Sequence, residues 1–535
     1  MSTFNRLVEE FFAYWWRTHP SQATAVGIHT YDGELERADP AALAERRRHV
    51  REYLRAFEQA VPRDAGEALD RELVLGQLRW YLMDLEEVRT HARNPLLYLE
   101  QPLESLYLMA VREHAPAGER ALQATERLSA LPRLLGEARE NLTEAAPVLV
   151  EAAAAVARSG VELLDRVLPL YLGEALADDP RQFARWENAL RGAGAALLDY
   201  ARWLEDELAP RATSGFALGK VAFEAKLRHV HGLAYTVDEL AAYGEALRRE
   251  TQKELEALAA ELGQGRGWKE WVEVLREEHP PADELIETYA REVQRARDFI
   301  LERDLVGIPP TEALAVVPTP EYLRPLIPSA AYVPPAPHEV EQQGFFFVTP
   351  PDNGELLREH SRYGIPITAL HEAYPGHHLQ FTWACRADTE PRRVFWTPVF
   401  AEGWALYCEE MMWEQGFYAD PRERLLQLQN LLWRACRVVV DVGLHARGWS
   451  TDRAVAYLVE EAGLERFHAE IEVRRYCAEP TQPLSYAVGK RELLRLRERF
   501  RARQGEAFEL RDFHDRVLSW GTIPPSLIAR ALGLA

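Results

Sequence analysis

The sequence predicts a mainly α-helical fold carrying one small β-sheet, and three observations predict it. From Phe4 to about Leu301, Ala, Leu, Glu and Arg dominate and apolar residues recur every three or four positions. Between about 303 and 351 proline becomes frequent and short β-type runs interrupt the helical periodicity. Beyond that segment strongly apolar helical stretches return, Leu425–Val440 among them. We divide the chain at this change of character, into a helical half, 1–302, and a second half, 303–535, that holds the sheet and the site helices. No repeat, low-complexity linker or Pro/Gly/Ser hinge separates independent domains, so the two halves form one continuous structural unit.

Taken in order, the first element is an amphipathic helix from Met1 to Phe12, whose charges interrupt the apolar core that a signal peptide needs. Pro20–Asp32 then breaks the helical text. Its His29 lacks a ligand-spaced partner and reads as a structural histidine. Thr236 and Glu239 make a capping-box start for a helix reaching Leu262, with Leu240, Tyr243, Leu247, Leu255, Leu258 and Leu262 as its core stripe. In the proline-rich segment, strands are expected at Ala313–Val317, Ala330–Val333 and Gly344–Val348. The last of these, with Phe346, is expected to be an edge that pairs with an extended substrate.

Composition narrows the function. The 535 residues include 84 acidic against 63 basic side chains, a net charge of −21, which repels nucleic-acid phosphates. No run approaches the ~20 apolar residues of a membrane span. Cys385, Cys408, Cys436 and Cys477 lack paired metal-type spacing and read as buried thiols. A soluble, cytoplasmic protein is expected.

The chemistry concentrates in Thr368–Gln380, where His371, His377 and His378 accompany Glu372 within eight positions of a helix-like run. Histidine followed by glutamate and further histidine is the arrangement by which imidazoles hold Zn²⁺ and a carboxylate takes a proton from water. The usual second histidine, four positions on, is replaced by Pro375. On a regular helix of about 100° per residue, His378 returns to within roughly 20° of His371 and His377 lies about 120° away. Pro375 removes a helical N–H and Gly376 permits a bulge. A bulge looping out two residues would carry His377 into the second ligand position. Geometry alone leaves both histidines open.

Glu402 follows His371 by 31 positions, on a second helix whose neighbours Val399, Phe400, Trp404 and Leu406 argue for burial. A buried carboxylate needs a partner, and a metal supplies one. Glu409 shares its face. Downstream, Asp441 and His445 stand four apart and can pair. Arg475, Tyr476 and Tyr486 offer a carboxylate clamp and phenolic donors.

HEAYPGHHLQ followed by AEGWALYCEE resembles the bacterial family catalogued as domain of unknown function 885. Its members look like helical zinc metallopeptidases, distantly similar to the carboxypeptidase Taq and angiotensin-converting-enzyme groups. The resemblance spans most of the chain and is densest from about 320 to 495. The family pattern fixes the histidine after Pro-Gly, which favours His377 over His378. It also includes an Asp-x-Gly-x-His segment, here Asp441 to His445, and a late Arg-Tyr…Ser-Tyr pattern, here Arg475, Tyr476 and Tyr486. The resemblance implies a large helical metallopeptidase-like fold, with a deep cleft and the small sheet near the catalytic helix.

The expected site therefore comprises His371, His377 and Glu402 as ligands of one Zn²⁺ per chain, with Glu372 as base. His445 and Tyr486 stabilise an oxyanion, Arg475, Tyr476 and Phe346 bind substrate, and Glu409, Asp441 and Gln380 orient ligands. The expected reaction is carboxypeptidase-like cleavage of short peptides, with neither nucleic acid nor membrane as partner and a homodimer left open. Hydrolysis of a non-peptide amide or ester, and a non-catalytic metal-binding scaffold, are the alternatives.

Overall fold

The computed structural model describes residues 3–310, 312–320, 324, 327, 329–351 and 354–534. They fall into two compact units, Met1–Ala217 and Leu218–Ala535. The first is wholly helical among its described residues. Its opening helix, Thr3–Thr18, buries Phe4, Phe11, Phe12, Trp15 and Trp16 on one face. Helix Pro180–Trp203 packs against both Ala117–Asn141 and Pro147–Glu162, and Pro20–Ala25 lies on Glu100–Val111.

In the second unit, helix Val237–Leu262 begins with the expected capping box of Thr236 and Glu239 and packs along Pro421–Ala446. One core cluster joins Phe223, Leu227 and Leu240 to Val438, Val442 and Val488. Another joins Leu255 and Trp271 to Ile367, Leu425 and Leu432. Each fully buried Leu, Val or Phe contributes about 1.5–3 kcal/mol. These contacts place residues 218–302 in the second unit, so the change of character near 303 marks a local sheet and not the limit of a packing unit.

The sheet has the order β1-β3-β2, with β1 Glu312–Pro318, β2 Ala330–Val333 and β3 Gln342–Val348. β1 runs parallel to β3, Glu312 opposite Gln342, and β2 antiparallel to it, Ala330 opposite Val348. All three expected strands form, but the expected substrate edge does not. β3 is hydrogen-bonded on both sides, and Phe346 is fully buried, edge-on to Tyr289 at 5.6 Å. Phe346 is thus a core residue, since a central strand offers no unpaired backbone. No described helix is long and apolar enough to cross a membrane.

Candidate metal centre

Two short helices, Ile365–Glu372 and His377–Ala384, carry the histidine-rich motif. Between them Gly376 N–H donates to the Leu370 carbonyl at 3.0 Å, six positions back where a regular helix uses four. Two residues are thereby looped out, and His377 takes the place that the residue four after His371 would hold. Gly376 is required there, because a Cβ would stand 1.9 Å from the His371 carbonyl oxygen. The Trp404 indole N–H, donating to the Pro375 carbonyl at 2.8 Å, ties the loop to the next helix.

That helix, Pro398–Glu414, brings Glu402. One donor atom each of His371, His377 and Glu402 lies within 4.8 Å of the others. Glu402 Oε2 is 3.3 Å from His377 Nε2 and 3.9 Å from His371 Nε2. His371 is oriented from behind, its Nδ1 2.7 Å from Oε1 of the buried Glu409. The Nδ1–H donates to that carboxylate and leaves the Nε2 lone pair facing Glu402. Beyond this approach to the two imidazoles, Glu402 Oε2 is buried with no hydrogen-bond partner among the described residues. Two imidazole nitrogens and one buried carboxylate oxygen make a three-donor set that fits zinc.

The electrostatics agree. Burial alone would lower the His377 pKa, but the contact with and charge of Glu402, then the charge of Glu372, outweigh it and raise it to about 9. Burial would raise the Glu402 pKa, yet the His377 contact and charge, His371 and Arg437 bring it down to about 2. A divalent cation competes with the His377 proton for the same lone pair.

His378 points the other way. Its Nδ1 lies 3.0 Å from the Tyr332 hydroxyl on β2 and its Nε2 2.9 Å from Glu312 on β1. Gly344 on β3 makes room for this contact, since a Cβ there would sit 2.7 Å from both His378 Nδ1 and the Tyr332 oxygen. Adjacent histidines thus serve the centre and the sheet.

Glu372 closes the first helix beside His371 and is partly exposed. Tyr486 is also brought in, its ring 6.4 Å from that of His371 and nearly parallel to it. A glycine crossing achieves this, in which helix Ser485–Gln504 meets Pro398–Glu414 so closely that a Cβ on Gly403 would stand 2.5 Å from Gly489 Cα. Arg475 is held by Glu472 at 2.8 Å and reaches over Tyr476. Gln380 donates to Thr522 at 3.1 Å and acts on His377 as well.

His445 does not join the cluster. Its Nε2 is 2.8 Å from the Tyr476 carbonyl and its ring packs near Phe223, so it braces helices. Asp441 accepts from the Thr481 and Leu484 amides, both at 3.2 Å. A residue that sequence reasoning missed is Arg437, which is almost wholly buried. Its guanidinium lies 4.2 Å from the Tyr486 ring centre and donates at 3.2 Å to Gln482, whose amide in turn reaches Glu402 at 3.5 Å. The available signal was a lone cation inside the apolar stretch Cys436–Val440.

No curated protein matches the sequence. Two solved structures share the fold. One is described as a "putative lipoprotein of unknown function" from Shewanella oneidensis, with TM-score 0.83 and 22% identity, covering 99% of this chain and 100% of that one. The other is described as a "putative lipoprotein" from Colwellia psychrerythraea, with TM-score 0.86 and 20% identity, covering 99% and 98%. The model of the family described as "Bacterial protein of unknown function (DUF885)" matches residues 20–532, the looped histidine motif and the Glu402 helix included, and the chain belongs to that family.

Proposed function

We propose that this protein is a zinc-dependent hydrolase that cleaves peptide bonds in short peptides. The observation that carries the reading is the convergence of His371, His377 and Glu402 within 4.8 Å, with Glu372 next to the first ligand. His371, His377 and Glu402 would hold the zinc ion, which when bound supplies a Lewis acid that polarises a carbonyl and acidifies water. Glu372 accepts a proton from the attacking water and returns it to the departing amine as the C–N bond breaks. The Tyr486 phenol donates a hydrogen bond to the oxygen that gains charge. The part-exposed Arg475, beside Tyr476 and paired with Glu472, offers a cation for a substrate's free carboxylate, which suits release of C-terminal residues.

The test compares wild type with Glu372→Gln for zinc content and for hydrolysis of a mixed short-peptide library. Equal zinc in both, with cleavage in wild type at least ~10²-fold faster, supports the reading. Equal zinc with no peptide cleavage by either protein redirects the search to amides and esters. No zinc in either removes the proposal.

A further inference from the structure

The first unit holds a second convergence of ligand-type side chains. His29 and Asp32 lie on the turn after helix Pro20–Ala25, and His114 comes from the loop after Glu100–Val111. One donor atom from each lies within 4.8 Å of the others. Asp32 Oδ2 is 2.9 Å from His29 Nδ1 and 3.3 Å from His114 Nε2. The two imidazoles lie face to face, their centres 3.4 Å apart and their planes 1° from parallel. The His114 side chain is only 5% exposed, and its Nδ1 is buried without a hydrogen-bond partner among the described residues.

Asp32 is fully buried and held from its far side. Its Oδ1 accepts from the Thr24 hydroxyl at 2.5 Å, and that hydroxyl accepts from buried Arg127 at 3.0 Å. Carboxylate ligands are commonly aimed by such an outer layer of hydrogen bonds. Burial would raise the Asp32 pKa, but contacts from His114, His29 and Thr24 outweigh it and hold the carboxyl well below the usual carboxylate range, so a charged carboxylate faces the two imidazoles.

We propose that His29, Asp32 and His114 form a second binding site for a divalent first-row transition metal, independent of the centre in the second unit. Two imidazoles and a carboxylate suit zinc, and accept iron(II), cobalt or manganese. The site clasps the 29–32 turn to the loop at 114 and raises the metal capacity from one ion per chain to two.

The test counts zinc in the full-length protein, stripped with a chelator, equilibrated with zinc chloride and recovered as the monodisperse folded fraction. Wild type is compared with His114→Ala, with His114→Gln, which keeps a hydrogen-bonding side chain in the buried position, and with His371→Ala. The expected result is one zinc fewer in each His114 variant than in wild type. His371→Ala retains the zinc that those variants lose, and zinc raises its thermal midpoint. Equal counts in wild type and His114→Gln overturn the proposal and leave the triad as a hydrogen-bonded brace. The readout is a difference between variants, so it stands whether or not the protein hydrolyses peptides.

Discussion

At the scale of single residues, the candidate centre depends on which nitrogen of each histidine is free. Glu409 fixes His371 by accepting from its Nδ1, and substitution by glutamine removes the charge that makes that hydrogen bond strong. Glu409→Gln is therefore expected to weaken zinc binding about 10–100-fold while leaving the fold intact, which competition with a chromogenic chelator would measure. An unchanged affinity would mean that Glu409 only fills space. Part of this cluster was legible: His371, Glu402 and Glu409 follow from residue type and spacing, whereas spacing left His377 and His378 both open and only the family resemblance favoured His377. Arg437 was not legible, because a lone arginine in an apolar helix has no spacing partner to reveal it. His29 was read as structural for a related reason. Its companion His114 lies 85 positions away, a proximity that only the folded chain creates.

At the scale of elements, the departure from the usual histidine spacing is a two-residue loop in an otherwise helical path. Gly376 has no room for a side chain, and the obstacle is backbone that cannot swing aside. Gly376→Ala is expected to destabilise the protein by about 1–3 kcal/mol and to lose zinc more steeply than Glu409→Gln does. Urea unfolding and metal content, measured together, would check this. Retained zinc with retained stability would show that the loop adapts. Proline and glycine at 375 and 376 announced this loop in the sequence. The role of β3 was misread because strand order depends on partners that local sequence does not name. Its run of three phenylalanines fits a central strand as well as an edge, and pairing on both flanks decided between them.

At the scale of the whole molecule, several buried histidines are held neutral. Burial, with Arg46 nearby, lowers His19 to about 3, and burial with Lys226 nearby does the same to His231. His360 and His514 are brought to about 4, again chiefly by burial. An unfolded histidine titrates near 6.5. The stability these groups support is therefore complete above that pH, and is lost as pH falls toward their folded values, by up to about 1.4 kcal/mol per group per unit. Asp441, pushed up to about 7 by burial, has the opposite sign, since its contribution is lost as pH rises toward 7. His377, raised to about 9, shares the sign of Asp441 but has gained most of its effect by pH 6.5, so the four lowered imidazoles dominate below that pH. The thermal midpoint is expected to fall between pH 6.5 and 5, and a flat profile over that range would contradict their burial. The helical class was plain from periodicity alone. The division at Ala217/Leu218 was not, because helix Val237–Leu262 reads like the helices before it and joins the second unit only through its packing.

The adjacency of His377 and His378 makes one peptide link a fulcrum. One ring joins the donor cluster with His371 and Glu402, and the other is held by Glu312 and Tyr332 of the outer strands. Substitutions at Glu312 or Tyr332 that release His378 are therefore expected to disturb the placement of His377 as well, through the one backbone link that the two residues share.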